Sequence, residues 1–254
     1  MKNTKTYRPS YRLSNYIDLI WIGGNVDYEI QSTHHAPMFT ELIFNYGGTF
    51  SVNGQNVKEF NFQNNKQILS GLKTEPFLTQ TSGEYLNVGL ILKPFCYGLI
   101  SKQIEKNNIQ DLSKILFEQF FVQQKPDISK IETELSKWFL KTSIDNHFVK
   151  FENYLNKKLS EPLRIKDFNE LISISQKSFI QKFKNNFLIT PSEYVKLKQV
   201  NHAIINLKAK KYINLTSLGL ECGFYDQSHF IRTFKKYSGL TPKKFLNRVN
   251  SVQF

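Results

Sequence analysis

The sequence contains an internal repeat whose two copies start 51 residues apart. The segment "SQKSFIQKFKNNFLITP" (175–191) aligns without a gap with "DQSHFIRTFKKYSGLTP" (226–242). Two phenylalanines, one isoleucine, one lysine and the closing Thr-Pro pair keep their places, whereas most of the polar residues differ. A catalytic site would not be duplicated with its polar residues changed and its apolar residues kept, so the repeat does not indicate an active site. The repeat therefore predicts one local fold made twice, with two different polar surfaces.

Each copy has the pattern of a helix-turn-helix unit. A short amphipathic segment precedes it, "IKDFNELI" (165–172) in the first copy and "LTSLGLECGF" (215–224) in the second. Ser175 and Asp226 then provide the residue types that cap helix N-termini. The Thr-Pro pair that closes each copy begins a further helix, with Thr as the cap and Pro in the first turn. The first of these helices, over 192–210, is expected to join the two units.

The second helix of each unit divides into an apolar and a polar face when its residues are placed 100° apart. Phe179 and Phe183 in the first copy lie on the apolar face, as do Phe230, Phe234 and Tyr237 in the second. The opposite face carries Arg, Lys, Gln and hydroxyl side chains, which are the types that contact base edges and phosphates. A helix-turn-helix unit presents such a face to the major groove of DNA.

These faces predict two sets of DNA contacts. The predicted base-reading residues are Lys177, Gln181, Gln227, Ser228, His229 and Arg232. The predicted phosphate contacts are Lys184, Thr190, Lys235, Lys236, Thr241 and Lys243. The two threonines stand at helix N-termini, whose free amides bind anions. For Arg232, the alternative is an exposed ion pair with Asp226 or Glu221, of a kind that contributes little.

The net charge of +13 is concentrated in the same part of the chain. Residues 151–254 contain 18 Lys and Arg against 7 Asp and Glu, a net charge of +11, whereas residues 1–150 carry +2. Such asymmetry indicates a polyanionic partner. From composition alone, a lysine-rich solubilising surface is an equally good explanation.

The first 95 residues have the pattern of β-strands. The segments "FTELIFNYGG" (39–48) and "YLNVGLILK" (85–93) are rich in β-branched and aromatic residues. Asn53-Gly54 stands between two alternating segments, which predicts a tight type I′ hairpin.

Beyond Pro94 the apolar period becomes helical. Helices are predicted with Asp111 and Asp127 as N-caps, and another from Asp145 to about Leu159. The predicted fold class is α+β. A cupin-like β-barrel with connecting helices occupies residues 1–143, and an all-α domain of two helix-turn-helix units joined by a linker helix occupies residues 144–254.

Two groups of residues invite a catalytic or metal-binding interpretation. Asp226, Ser228 and His229 are neighbours on one helix, where they cannot converge as a catalytic triad requires. Adjacent His34 and His35 point to opposite faces of a strand, so at most one can join Glu41 at a metal. We predict no catalytic residue, no metal and no cofactor, and we do not expect an enzyme. The two cysteines are expected to be small buried hydrophobic residues.

The stretch "GFYDQSHFIRTFKKYSGLTPKKF" (223–245), with "YVKLKQVNHAIINL" (194–207) upstream, resembles the DNA-binding domain of AraC/XylS-type transcription regulators. The resemblance covers residues 145–245. It implies two helix-turn-helix subdomains that insert their second helices into two adjacent major grooves of double-stranded DNA. Four positions depart from the residues frequent in that family: Gln181, Leu188, Gln199 and Gly219.

The N-terminal half resembles, more weakly, the β-barrel sensor or dimerisation domain of such regulators. The resemblance rests on "HHAPMFTELIFNYGG" (34–48), "LSGLKTEPF" (69–77) and "LNVGLILKPFCYGLI" (86–100). Several aromatic residues could line a ligand pocket or could simply fill the core of a small barrel. They are Trp21, Phe39, Phe44, Tyr46, Phe77 and Tyr85.

The predicted function is a cytoplasmic, sequence-specific, DNA-binding transcription regulator. A small-molecule effector or a partner bound to the N-terminal domain would control it, and RNA polymerase and a second copy of the chain are further partners. No membrane partner is expected, because no apolar run reaches about 18 residues. The alternatives are a weakly specific nucleic-acid binder that uses only its charge, and a cupin-type metal enzyme with a DNA-binding tail.

Overall fold

A computed structural model describes residues 4–24, 27–62, 65–141, 144–161, 165–169, 172–209 and 214–251. The strands of the described chain are β1 (Thr4–Tyr7), β2 (Ile17–Gly23), β3 (Asp27–His34), β4 (Thr40–Asn45), β5 (Thr49–Asn53), β6 (Val57–Phe62), β7 (Asn65–Ser70), β8 (Phe77–Glu84) and β9 (Asn87–Leu92). The helices are α1 (Cys96–Lys106), α2 (Gln110–Phe117), α3 (Ile128–Phe139), α4 (Asn146–Lys158), α5 (Ile165–Asn169), α6 (Gln176–Phe187), α7 (Pro191–Lys208), α8 (Leu215–Glu221), α9 (Gln227–Ser238) and α10 (Pro242–Ser251).

The strands form two antiparallel sheets. The larger has the order β1-β2-β9-β4-β7-β6, and the smaller has the order β3-β8-β5. Side chains alternate between the two faces of a strand. In β4, Leu42 and Phe44 therefore join a core with helices α1 to α3, whereas Ile43 packs against Phe50 of the smaller sheet. The larger sheet thus has helices on one face and the smaller sheet on the other.

The predicted hairpin at Asn53-Gly54 is wrong. Strand β5, which ends at Asn53, pairs with β8, whereas β6 pairs with β7. Between them the chain crosses from the smaller to the larger sheet, with Asn56 in the left-handed region at φ 59°. The alternating pattern identified two strands correctly. It could not identify their partners, because burial against distant strands decides the pairing.

The predicted change from strands to helices is confirmed, with one correction at a helix cap. Asp127 accepts a hydrogen bond from the backbone amide of Lys130 at 3.2 Å, and Asp145 accepts one from that of His147 at 2.9 Å. Both are N-caps, as predicted. Asp111 is not a cap, because α2 begins one residue earlier and Asp111 lies in its first turn. Its charge still lies near the positive end of the helix.

The described C-terminal helices share one apolar core built on the linker helix α7. Tyr194, Leu197, Ala203 and Leu207 of this helix are buried. The phenylalanines that pack into the same core come from both units and from α4: Phe148, Phe151, Phe168, Phe179, Phe183, Phe187, Phe224, Phe230 and Phe234. One shared core holds both units in a set relation to each other. The predicted boundary at residue 143 lies outside the described residues and stays a prediction.

The β-rich part of the chain touches both helix-turn-helix units. Helix α1 packs on α6 at Gly98, where a Cβ atom would lie 2.7 Å from the Cα of Asn186. The loop after β3 reaches the second unit, where the Ala36 amide donates to the Tyr237 carbonyl at 2.9 Å. Asn201 of the linker helix donates to the Ala36 carbonyl at 3.1 Å. Each unit therefore has its own contact with the N-terminal part.

Candidate nucleic-acid interface

The second unit consists of α8 and α9, joined by a tight turn. Gly223 lies in this turn at φ 78°, where a Cβ atom would be 2.4 Å from the Leu159 carbonyl oxygen. Asp226 caps α9 by accepting a hydrogen bond from the His229 amide at 2.7 Å. Phe230 and Phe234 anchor the helix in the shared core. The opposite face of α9 is thereby turned toward solvent.

Helix α9 carries six of the twelve residues predicted to contact DNA. Gln227, Ser228, Arg232, Lys235 and Lys236 are exposed. His229 is half-buried, with the edge of its ring against Phe224 at a centroid distance of 5.5 Å. Arg232 has no hydrogen bond or ion pair with any residue that the structure describes. The alternative pairing of Arg232 with an acidic neighbour is therefore not observed there.

The first unit also presents an exposed polar face, on α6. Ser175 caps α6 by accepting from the Ser178 amide at 3.2 Å. Lys177, Gln181 and Lys184 are exposed, as predicted for DNA contacts. The Gln181 amide already donates to Asn185 Oδ1 at 2.9 Å. This bond uses one of the two amide hydrogens of Gln181 and leaves the other hydrogen and Oε1 for a base.

The two units end differently. Helix α9 ends at Gly239, which has φ 80°, whereas α6 ends at Leu188, which has φ 62°. A left-handed conformation costs a residue with a Cβ atom roughly 1–2 kcal/mol. The Leu188 side chain packs against the apolar core of the N-terminal part. This packing offsets the strain at a position where the family often has glycine.

The two predicted threonines use their hydroxyl groups within their own helices. Thr190 Oγ1 accepts from the Glu193 amide at 3.2 Å, and the Thr190 amide donates to Glu193 Oε2 at 2.8 Å, so the two residues form a capping box. Thr190 Oγ1 also donates to Glu193 Oε2 at 2.9 Å. Thr241 Oγ1 accepts from the Lys244 amide at 3.4 Å. Lys243 is exposed beside it. At both helix ends the threonine hydroxyl is engaged within its own helix, and Lys243 is the exposed cation at the second end.

Sequence reasoning missed one exposed residue beside the second unit's polar face. Tyr225, in the turn before α9, is 79% exposed. Tyrosine hydroxyls are among the groups that bind DNA phosphates. The available signal was an aromatic residue next to an N-cap, outside the apolar period of either helix.

A cavity of about 390 Å³ lies between the two sheets, away from the helix-turn-helix units. His34 and Glu41 line it, whereas the ring of His35 packs edge-on against Phe245 of α10. Adjacent histidines thus point to different sides, as the strand pattern predicts. Within the described ranges, no group of three or more His, Cys, Asp or Glu residues could hold a metal ion.

Two further expectations concern the cysteines and the membrane. Cys96 and Cys222 are both buried, and burial raises the pKa of the Cys222 thiol to about 12. They are the small core residues that the sequence predicts. Of the described helices, none is long and apolar enough to cross a membrane.

The C-terminal region matches known proteins. Residues 170–248 match the family model described as a helix-turn-helix domain. Over 99 residues the chain is 27% identical to the probable transcriptional regulator LumQ of Photobacterium leiognathi. This alignment covers 39% of this chain and 40% of LumQ. Over 104 residues it is 26% identical to the transcriptional activator RhaR of Escherichia coli K12. This alignment covers 41% of this chain and 36% of RhaR.

The C-terminal region contains a helix-turn-helix domain, and the predicted resemblance of this region to AraC-type regulators is confirmed. The matched segments span about two fifths of LumQ and RhaR, and the remainder of those proteins lies outside the match.

The fold of the whole chain is similar to that of ToxT from Vibrio cholerae. The TM-score is 0.51 at 14% identity, over 96% of this chain and 97% of ToxT. A crystal structure of ToxT bound to (E)-4-(8-methylnaphthalen-1-yl)but-3-enoic acid has the same TM-score and identity, over 97% of this chain and 98% of ToxT. The predicted α+β architecture, with a β-rich N-terminal part and a helical C-terminal part, is confirmed.

Proposed function

We propose that this chain is a sequence-specific DNA-binding transcription regulator. The observation that carries the proposal is the polar face of α9. Arg232, Lys235 and Lys236 are exposed on it without a hydrogen bond or ion pair among the described residues, on a helix anchored by a cap and by two buried phenylalanines. An arginine fork of this kind can donate two parallel hydrogen bonds to guanine O6 and N7.

In this proposal α6 and α9 enter successive major grooves about 34 Å apart on one face of the duplex. The proposed base-reading residues are Lys177, Gln181, Gln227, Ser228, His229 and Arg232. The proposed phosphate contacts are Lys184, Lys235, Lys236 and Lys243, with the helix ends at Thr190 and Thr241. The shared core on α7 supports this arrangement, because it keeps the two helices at one separation.

The N-terminal part would supply control. The cavity between its sheets has a volume within the range of small-molecule sites, about 300–1,000 Å³. ToxT, which has a similar fold, has been crystallised with a small organic acid. The contacts at Gly98 and Ala36 connect the β-rich part to each unit. We expect the regulator to act in the cytoplasm, with RNA polymerase and a second copy of the chain as further partners.

The competing function is a weakly specific nucleic-acid binder that uses only the +11 charge of residues 151–254. Selection of bound sequences from a random oligonucleotide pool, followed by titration on the selected site and on scrambled DNA, separates the two. A regulator should prefer its site by at least about 10³-fold at physiological salt. A ratio near one would contradict the proposal and support the weakly specific binder.

A further inference from the structure

The cavity between the sheets has an unusual wall for a site that would bind an organic acid. Its apolar lining includes Trp21, Phe50, Phe77 and Tyr85. Its described lining contains one carboxylate, Glu41, and no lysine or arginine. A carboxylate ligand would meet a like charge there and no cation to pair with.

Two glycines allow the aromatic rings to lie flat against the inner face of the larger sheet. A Cβ atom at Gly89 would lie 2.1 Å from the Trp21 ring, and one at Gly23 would lie 2.2 Å from the Tyr85 ring. The rings of Trp21 and Tyr85 are parallel within 5°, with centroids 6.4 Å apart. Parallel aromatic surfaces favour a ligand with a flat apolar ring.

Glu41 is oriented by one hydrogen bond and keeps a free oxygen. Its Oε1 accepts from the Trp21 indole Nε1 at 2.6 Å. Its Oε2 has no hydrogen-bond partner in the part of the chain that the structure describes. Burial raises the pKa of this carboxyl group to about 7, against smaller opposite contributions from the Trp21 hydrogen bond and the Lys73 charge. The fold thus keeps a costly acid on the cavity wall, which is typical of functional sites.

Lys73, a buried lysine whose charge acts on Glu41, already has other hydrogen-bond partners. Lys73 is fully buried, and its Nζ donates to Ser70 Oγ at 2.6 Å and to the Gly71 carbonyl at 2.9 Å. The same Nζ lies 4.7 Å from the centroid of the Phe77 ring. Lys73 does not line the cavity, and it forms no ion pair with Glu41. The free oxygen of Glu41 therefore remains available to a group that enters the cavity.

We propose that this cavity binds a small molecule with a flat apolar ring and a protonated amine, and that Glu41 Oε2 receives the amine. The proposal names the ligand class of the effector site in the proposed function and rests on that function for its regulatory meaning. It assigns a ligand charge opposite to that of the acid bound in the ToxT crystal structure. The aromatic wall contributes in the same direction, since ring faces attract cations.

The test compares three ligands of similar size that differ in the charge of the tail. The full-length protein is titrated, without DNA, with 2-phenylethylamine, 2-phenylethanol and phenylacetate, and calorimetry gives each dissociation constant. We expect the amine to bind at least about tenfold more tightly than the alcohol, and phenylacetate to bind most weakly, because a charge-assisted hydrogen bond is gained only by the amine.

Glu41→Gln is the decisive variant, and Glu29→Gln is its matched control. Glu29 lies on β3, is exposed, and does not line the cavity. Glu41→Gln should lose roughly the same tenfold for the amine and change the alcohol by less than about threefold. Glu29→Gln should change neither. Amine binding no tighter than phenylacetate binding, or unchanged by Glu41→Gln, would overturn the proposal.

The melting temperature of Glu41→Gln is the control that tests whether this variant is folded. A carboxyl group with a raised pKa stabilises the folded state when protonated, so its contribution is lost as pH rises from about 4.5 through about 7. Glutamine cannot ionise, and Glu41→Gln should therefore melt at or above the melting temperature of the parent protein at about pH 8.

A separate titration with the selected DNA site distinguishes the ligand class from the proposed function. If the amine binds through Glu41 and the affinity for DNA does not change, the cavity binds this class of ligand, but the ligand is not an effector. A chain that prefers no DNA sequence would contradict the proposed function and leave the cavity measurement intact.

Discussion

The two helix-turn-helix units have the same scaffold and different surfaces. Phe179 and Phe183 in the first unit are as fully buried as Phe230 and Phe234 in the second. At aligned positions, however, Gln181 stands opposite Arg232, Asn185 opposite Lys236, and Leu188 opposite Gly239. The repeat therefore keeps the two central phenylalanines that pack and changes many of the groups that face solvent or the N-terminal part.

The direction of these differences suggests a division of labour. In the second unit Arg232 is free of partners in the described chain, whereas in the first unit Gln181 donates to Asn185. Helix α6 is also packed against α1 and linked to α4 by the ion pair between Lys182 and Asp145. We infer that the second unit contributes more to base reading, and that the first unit is the more closely connected to the N-terminal part.

The variant with the largest expected effect disrupts the apolar core that the two units share. Ala203→Asp places an unpaired charge in the core of the linker helix, where Ala203 is 0% exposed. It should lower the free energy of unfolding by about 3–5 kcal/mol and abolish binding by both units together. Ile205→Asp, on the same helix at a position 63% exposed, is the control and should cost roughly 1 kcal/mol or less. Chemical denaturation and DNA titration measure both. Normal binding by Ala203→Asp would show that the units do not depend on one core.

The next effect tests the difference in base reading. Arg232→Ala should lose about 1–3 kcal/mol of binding free energy on the selected site and much less on scrambled DNA. Gln181→Ala, at the aligned position, should lose less than about 1 kcal/mol, because the Gln181 side chain is uncharged and one of its amide hydrogens already bonds to Asn185. Titrations on both DNAs decide the point. Equal losses on the two DNAs for Arg232→Ala would assign Arg232 to the phosphate backbone.

A smaller effect concerns the ends of the two reading helices. Gly239→Ala should destabilise the protein by about 1–2 kcal/mol, since φ is 80° there and the added methyl group would lie 3.1 Å from Pro76. Leu188→Gly relieves the same strain in the first unit but loses packing on the N-terminal core. Its net change should be under about 1 kcal/mol. Thermal unfolding of both variants gives the comparison, and a Gly239→Ala variant as stable as the parent would contradict it.

The smallest effect separates charge from sequence reading. Lys236→Ala should weaken binding to selected and scrambled DNA alike, and should lower the slope of log affinity against log salt by about one. Asn185→Ala, the aligned change without a charge, should leave that slope as it is. Titrations at two salt concentrations measure both slopes. A Lys236→Ala effect confined to the selected site would make Lys236 a base-reading residue.

The sequence predicted the second-helix caps and apolar faces because these depend on neighbours within a few residues. Ser175, Asp226 and Thr190 are N-caps, as the pattern predicted. The polar face of α9 followed from the same period of 3.6 residues. These features needed no knowledge of distant parts of the chain.

The remaining features depend on contacts between distant residues. The partner of β5 is decided by sheet burial, which is why the turn residues Asn53-Gly54 were misleading. The packing of Gly98 on Asn186 joins positions far apart in the sequence, and no local pattern marks it. Strand alternation could place Glu41 on an inner face. Only the structure shows that Trp21 orients it and that it lines a cavity.

Hydroxyl-radical footprinting of the full-length protein on its selected site tests the central claim most directly, since it reports both units at once. We predict two protected blocks separated by about 10 base pairs on one face of the duplex. In Arg232→Ala, the block under the second unit should weaken first. Continuous protection around the duplex, or protection at a single block only, would contradict the placement of α6 and α9 in successive major grooves.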